Sequence, residues 1–459
     1  MAITRMTQGN CFRCLITYCI PLILGNLFQL TYNAVDSAIV GRFIGRNALA
    51  SVGTAGPVMN IIILSISGIT VGASVIMSEF FGAGEEEMLK KEMATTAVFG
   101  LLFSLAVILI GCLSAVPLLK ALQVPDEILE DTAVYLRIIF LGAPFTYFYN
   151  ALSAALKSLG DSKTPLKFLA FASTLNAALD LVFIGILDFG IFCSAVTTIL
   201  AEACSAALCA LHLYRHVPLL RLAPHEFRID GRLLARTLRY GGITALQQSC
   251  QPIGKLLIQG AVNTLGIDAI AAFQAAVKID DYAFTPEQSI ANGITTFTAQ
   301  NRGAHGSEEY GNNKKKRRTG RFDRITQGFL AGLILEFGYW ILICSFVTLL
   351  KRPLTALFVG SGSEEVIRLG ADYLGLMAVF YVLPAFTNGM QGYFRGMGQL
   401  KMTLLGTFIQ TSLRVFFVYL LVPFIGIRGI AYACAIGWSA MLAVEIPFYF
   451  LTRRKVLPR

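Results

Sequence analysis

Long apolar runs alternate with short polar intervals along the whole chain, and most of the runs are apolar on every helical face. Leu101–Val116, Leu166–Leu187 and Leu404–Ile425 are mostly apolar and carry few charges. A run of about 20 apolar residues crosses the hydrocarbon core of a bilayer as a helix. A large soluble helical core would instead need amphipathic helices, each with a polar face for water. Twelve spans follow from the pattern: 15–41, 48–81, 93–117, 131–157, 166–187, 190–214, 238–265, 270–300, 325–350, 369–395, 403–423 and 428–451. The pattern therefore predicts an all-α polytopic membrane protein with twelve transmembrane helices. The first run is too long for the apolar core of a signal peptide and contains Asp36, so a cleaved leader is not expected.

The spans repeat. A shift that carries Gly45 onto Gly266 also carries Ala48 onto Ala269, Ala50 onto Ala271, Ile69 onto Ile290 and Gly72 onto Gly293. It ends with Gly82-Ala83 on Gly303-Ala304. A slightly larger shift carries Asn150 onto Asn388, Gly160 onto Gly398 and Lys163 onto Lys401. Similarity in constant order at a near-constant offset is the mark of an internal repeat. Six spans is an even number, so both halves enter and leave on one side, as two pseudo-symmetric six-helix lobes. The expected division is an N-terminal lobe over 1–214, a basic cytoplasmic linker over 215–237 and a C-terminal lobe over 238–459. Transporters built from repeats place their substrate site near the midplane between the halves and work by rocking one against the other.

Composition supports the membrane reading: 55% of the residues are hydrophobic and only 14% charged, and mean hydropathy is +0.64. The formal net charge of +10 is informative through its placement. Most Lys and Arg fall at the amino end, in the even-numbered loops and at the carboxyl end. The odd-numbered loops hold only Arg42, Arg46, Lys120, Lys351, Arg352, Arg368 and Arg428. The positive-inside rule then places both termini in the cytoplasm, for a multi-pass protein of the inner (plasma) membrane. The run Lys314–Arg318 is best read as a loop anchor against anionic headgroups, not as a nucleic-acid site. The ten cysteines are scattered, and Cys11 and Cys14 lack the second pair or histidine that a zinc site needs. The four histidines lie at or beyond the cytoplasmic ends of the spans, so no enzyme site at depth is indicated.

An acid inside a membrane span is a functional hypothesis by default, because an unpaired charge there costs several kcal/mol. Asp36 lies in the polar stretch Gln29-Leu-Thr-Tyr32-Asn33-Ala-Val-Asp36 of span 1. Asn176 and Asp180 lie four apart in span 5, hence on one helical face. Thr198 in span 6, next to Thr197, adds a hydroxyl. Two carboxylates, an amide and a hydroxyl supply hard oxygens that suit Na⁺, while crowded carboxylates in a low dielectric can carry H⁺ instead. Singly, each has a duller explanation: Asp36 as the cap of a broken helix, Asn176 as interhelical glue, Asp180 as a group near the outer face. Under the repeat, the three fall on Leu257, Arg414 and Val418, so the acid set exists in one half only. In the second half Lys255, Asp280, Asp281, Glu287 and Arg414 also need partners, and internal ion pairing competes with a role in cargo binding. A cleft lined by Gln29, Tyr32, Asn33, Lys255, Asp281, Glu287 and Gln288 would attract organic cations. Glu202 and Glu445 are expected to snorkel towards the cytoplasm.

Several motifs carry a family resemblance: Gln29-x-x-Tyr32-Asn33-x-Val35-Asp36-x-x-x-Val40-Gly41, Gly82-Ala83-Gly84, Ser158-Leu-Gly160-Asp161-Ser162-Lys163-Thr164-Pro165, Asn176-x-x-x-Asp180-x-x-Phe183-Ile184 and Ala299-Gln300-Asn301-x-Gly303-Ala304. Together they resemble the multidrug and toxic compound extrusion (MATE) family over essentially the whole chain. The resemblance implies a pair of six-helix lobes and antiport of H⁺ or Na⁺ against amphiphilic, usually cationic, drugs. It implies a cation site at Asp36, Asn176, Asp180 and Thr198. A branch of the family that uses acids in the seventh and tenth helices is not matched, since span 7 offers Lys255 and span 10 only Asp372 at its outer end. The expected partners are a small organic substrate and membrane lipids, for a protein acting as a monomer without nucleic acid. No cofactor is expected beyond the coupling ion: no G-x-x-x-x-G-K-[ST] loop is present, so ATP coupling is not indicated. The competing expectation is a flippase for a lipid-linked oligosaccharide or similar precursor, kept open by Lys255, Lys278 and Arg414.

Overall fold

The computed structural model describes residues 5–43, 46–187, 189, 191–309, 314–359 and 364–456; within these, the side chains of 36–43, 46–49, 191, 306–309, 314–323, 359 and 454–456 fall outside the description. The described chain is helical throughout, with no strand. Its helices are α1 (Cys11–Phe43), α2 (Arg46–Ala83), α3 (Glu86–Ala121), α4 (Asp126–Ser158), α5 (Lys163–Asp180), α6 (Ile191–His216), α7 (Gly231–Val262), α8 (Ile267–Glu309), α9 (Lys314–Val359), α10 (Glu364–Phe380), α11 (Val382–Gly396), α12 (Leu400–Ile425) and α13 (Ile427–Val456). They follow the twelve expected spans in order, with two refinements. Span 5 is α5 continued by a π-helical turn, Leu181–Ile186. Span 10 is broken into α10 and α11, bent by 47°. Pro384 lies just after the break, and a proline that removes one ladder donor and crowds the preceding turn is a standard cause of a kink. By length and composition, eight helices among the described residues can cross a membrane, or nine with the bent pair as one span. α4, α7 and α8 are not among them; α8 carries Lys278, Asp280, Asp281 and Glu287 in its middle.

The chain forms two compact units. Unit 1 comprises Met1–Thr7, Ile20–Ala245 and Gly303–Tyr310; unit 2 comprises Gln8–Cys19, Leu246–Arg302 and Gly311–Arg459. Their boundaries differ from those expected at 215–237. The basic segment joins the core of unit 1, where Val217, Leu220 and Leu233 are buried with Leu89, Met93 and Leu213. Its backbone is tied down as well, through Asp230 N–H to Thr95 Oγ1 at 3.1 Å. The boundary falls inside α7, after Ala245. The arginines of this segment, Arg215, Arg221, Arg228, Arg232 and Arg236, are interspersed with the apolar residues that pack here.

In unit 1, α4 packs on α2, α3 and α6. α7 approaches α2 backbone to backbone: a methyl placed on Gly72 would lie 2.7 Å from Gly241 N, and one on Gly241 would lie 2.9 Å from Ile69 Cα. In unit 2, α12 runs along α13, α9 packs on α10 and α11, and α8 contributes Ala272, Ala276, Ile279 and Ala283 to a core shared with Leu374 and Ile430. The repeat is visible in the turns. After α4, Gly160 N–H bonds Lys157 O at 3.0 Å and Asp161 N–H bonds Leu156 O at 3.0 Å. After α11, Gly398 N–H bonds Arg395 O at 3.0 Å and Gln399 N–H bonds Phe394 O at 2.8 Å. Both glycines have left-handed φ, 85° and 74°, the conformation that closes a helix in this way at little steric cost. The paired glycines of the sequence repeat therefore do one mechanical task twice.

Candidate ion-binding site

The acid site of unit 1 is built on α5. Asp161 fixes the start of that helix: its Oδ1 accepts from Lys163 N–H at 3.1 Å and Thr164 N–H at 3.0 Å, and its Oδ2 from Thr164 Oγ1 at 2.6 Å. The motif at 158–165 is thus a helix end followed by a helix start. About four turns on, Asn176 and Asp180 lie on one face, exposed by only 1% and 0%. The π-helical turn begins immediately after Asp180. Such wide turns occur mostly at functional sites, where they displace side chains from the regular helical path.

Two hydroxyls complete the cluster within unit 1. Tyr32 of α1 donates to Asn176 Oδ1, and Thr197 of α6 donates to Asp180 Oδ1. Thr198, the hydroxyl singled out by the family resemblance, instead donates to Ser194 O at 2.8 Å on its own helix and is only half-buried. The adjacent Thr197 is 1% exposed. One residue is about 100° around a helix, so only one of two neighbouring threonines can face α5. The side chain of Asp36 lies outside the described residues. Asn176 Nδ2 is buried with no partner among the described residues, so the amide is not fully satisfied by the protein groups around it. Asp180, Asn176 and Thr197 bring carboxylate, amide and hydroxyl oxygens together, a hard donor set suited to Na⁺; the carboxyl alone suits H⁺.

The residues expected to line a substrate cleft fall into different settings. On α1, Gln29 and Asn33 are exposed, while Tyr32 is half-buried and engaged with Asn176. In unit 2, Lys255 of α7 pairs with Asp281 of α8 at 2.8 Å, both partly exposed. Gln288 is exposed but Glu287 is wholly buried. Glu287 accepts from Asn388 Nδ2 of α11 at 3.3 Å. Asp280, next to Asp281, turns the other way and accepts from Tyr373 at 3.0 Å and Tyr381 at 2.5 Å. Glu202 and Glu445 do not snorkel. Glu202 accepts from Thr146, and Glu445 is wholly buried and accepts from Gln391 Nε2 at 2.5 Å. Gln391 in turn accepts from Gln247 at 2.7 Å. These amides and hydroxyls sit on neighbouring helices and give each carboxyl a local partner in place of water.

Sequence reasoning passed over Glu336, a lone acid in the apolar run of span 9 that is also wholly buried. The signal that drew attention to Asp36 was present there too.

The comparisons with known proteins bear on family and fold. A family model described as MatE matches residues 21–182 and 319–420. The probable multidrug resistance protein YoeA of Bacillus subtilis (strain 168) is 28% identical over 345 residues, covering 72% of this chain and 70% of the relative. The probable multidrug resistance protein YpnP of the same organism is 25% identical over 452 residues, covering 98% and 97%. The fold matches that of an outward-facing multidrug resistance MATE family transporter with a TM-score of 0.89 at 22% identity, over 100% of this chain and 99% of that one. With the family model covering more than half of its residues and the fold matching from end to end, the chain belongs to the MatE family.

Proposed function

We propose that the protein exports amphiphilic organic molecules, above all cationic drugs or metabolites, in exchange for H⁺ or Na⁺ held at Asp36, Asn176, Asp180 and Thr197. The observation that supports this most is the buried set of Asp180, Asn176 and Thr197 with Tyr32 bonded to it. The multidrug resistance names of YoeA and YpnP point to the same cargo class. Binding of an ion by Asn176 competes with the hydroxyl of Tyr32 for the same oxygen, while Thr197 turns its own oxygen from Asp180 to the ion. The ion therefore loosens α1 from α5, and cargo is released when the ion-bound packing holds it less well. Coupling requires only that ion and cargo favour different conformations, typically by 1–3 kcal/mol. We place the protein in the plasma membrane as a multi-pass monomer with both termini in the cytoplasm, following its charge distribution.

The test is dye efflux from vesicles under an imposed Na⁺ or pH gradient, comparing wild type with Asp180→Asn and Asp36→Asn. Efflux driven by the effective gradient should fall on the order of tenfold or more in both variants. Undiminished gradient-driven efflux would remove the coupling assignment. The flippase reading draws no support from the structure: Lys255 is neutralised by Asp281, and Lys278 is exposed on α8.

A further inference from the structure

Unit 2 holds a second pair of acids that the reading above does not use. Glu287 on α8 and Glu336 on α9 are both 0% exposed. The antiparallel register of the two helices sets them opposite each other. Phe297 covers Gly328, Ile294 covers Gly332, and Tyr339 donates to Ala283 O at 3.0 Å. Glu336 lies one turn beyond Gly332 and Glu287 two turns before Ile294, so both fall between those contacts. Each carboxyl lies within electrostatic reach of the other.

Very little satisfies them. Asn388 Nδ2 donates to Glu287 Oε2 at 3.3 Å. Glu287 Oε1 and both carboxyl oxygens of Glu336 are buried without a partner among the described residues. The titratable groups facing the pair are Tyr339 on α9, Cys19 on α1 and Tyr381 at the break between α10 and α11. None is a cation, and no Lys or Arg pairs with either acid among the described residues.

Two ionised carboxylates in this setting would each bear several kcal/mol of desolvation, with mutual repulsion added. One proton shared between them removes a charge and supplies the missing donor, as when two carboxyls occupy one site. A buried pair kept within membrane helices, where apolar residues of similar volume are often neutral or stabilising, points to use and not to packing. We propose that Glu287 and Glu336 form a proton-binding site in unit 2, which holds one proton between the two carboxyls and exchanges it during transport independently of the ion site on α5. Asn388, beyond the bend between α10 and α11, is the contact through which movement of α11 reaches the pair.

Infrared spectroscopy of the protein in lipid, titrated from acid to alkaline pH, tests this directly. Wild type should show a protonated carboxyl at neutral pH that converts to carboxylate on alkalinisation. Asp180→Asn should leave this component unchanged and the Glu287→Gln/Glu336→Gln double variant should lose it, read as a difference band against wild type. Efflux driven by a pH gradient should fall on the order of tenfold in the double variant. Absence of any protonated carboxyl in wild type at neutral pH overturns the proposal, and needs no variant to fold. The proposal is equally overturned if the double variant shows no difference band against wild type, or keeps wild-type pH-driven efflux. Loss of efflux confined to Asp180→Asn would leave the α5 site standing and remove this one.

Discussion

At Asn176 and Asp180 a spacing of four residues was enough to place two polar groups on one helical face, and both are buried there. The partner hydroxyl was not legible in the same way. Whether Thr197 or Thr198 reaches Asp180 depends on the rotation of α6 about its axis, which the packing of unit 1 sets. The structure gives the bond to Thr197. Removing one partner of a buried charged group costs on the order of 1–3 kcal/mol. Thr197→Ala is therefore expected to reduce gradient-driven efflux about tenfold, and Thr198→Ala to leave it within about twofold. Equal loss in both variants would show that the contact with Asp180 is not what matters. Pairing in the second half was likewise undecided by sequence. Lys255 takes Asp281 whereas Asp280 takes two tyrosines, because adjacent residues on α8 point about 100° apart.

Elements were legible wherever composition was one-sided. Apolar runs marked the helices, and Gly160 and Gly398 marked two turns that proved equivalent hydrogen bond for hydrogen bond. The broken tenth span and the end of unit 1 within α7 were not, since a kink and a boundary depend on what packs beside the helix. The approach of α7 to α2 provides a sharp contrast between neighbouring glycines. A methyl at Gly241 meets the backbone of Gly68 and Ile69, while one at Gly242 meets nothing within 4 Å. Gly241→Ala should therefore lower the melting temperature of the purified protein, by overpacking worth about 1–3 kcal/mol. Gly242→Ala should match or exceed wild type, because alanine is favoured over glycine in a helix by about 1 kcal/mol. Similar melting temperatures for the two would mean that α7 does not pack on α2 this closely.

Across the whole molecule, the expected orientation rests on charge and not on contacts. Lys and Arg concentrate on one side of the spans, so a protease-sensitive tag on either terminus should survive in intact cells and be cleaved in inverted vesicles. Cleavage of either tag in intact cells would reverse the assignment. The sequence by itself determined the order of the helices along the chain, the two equivalent turns at Gly160 and Gly398 and the acid-bearing face of α5. These depend on transfer free energies and on helical periodicity, which act residue by residue along the chain. Tertiary structure alone decided that Thr197 holds Asp180, that residues 217–245 belong to unit 1, and that Glu336 lies opposite Glu287. Those depend on the rotation and register of one helix against another, fixed by close packing between residues far apart in sequence.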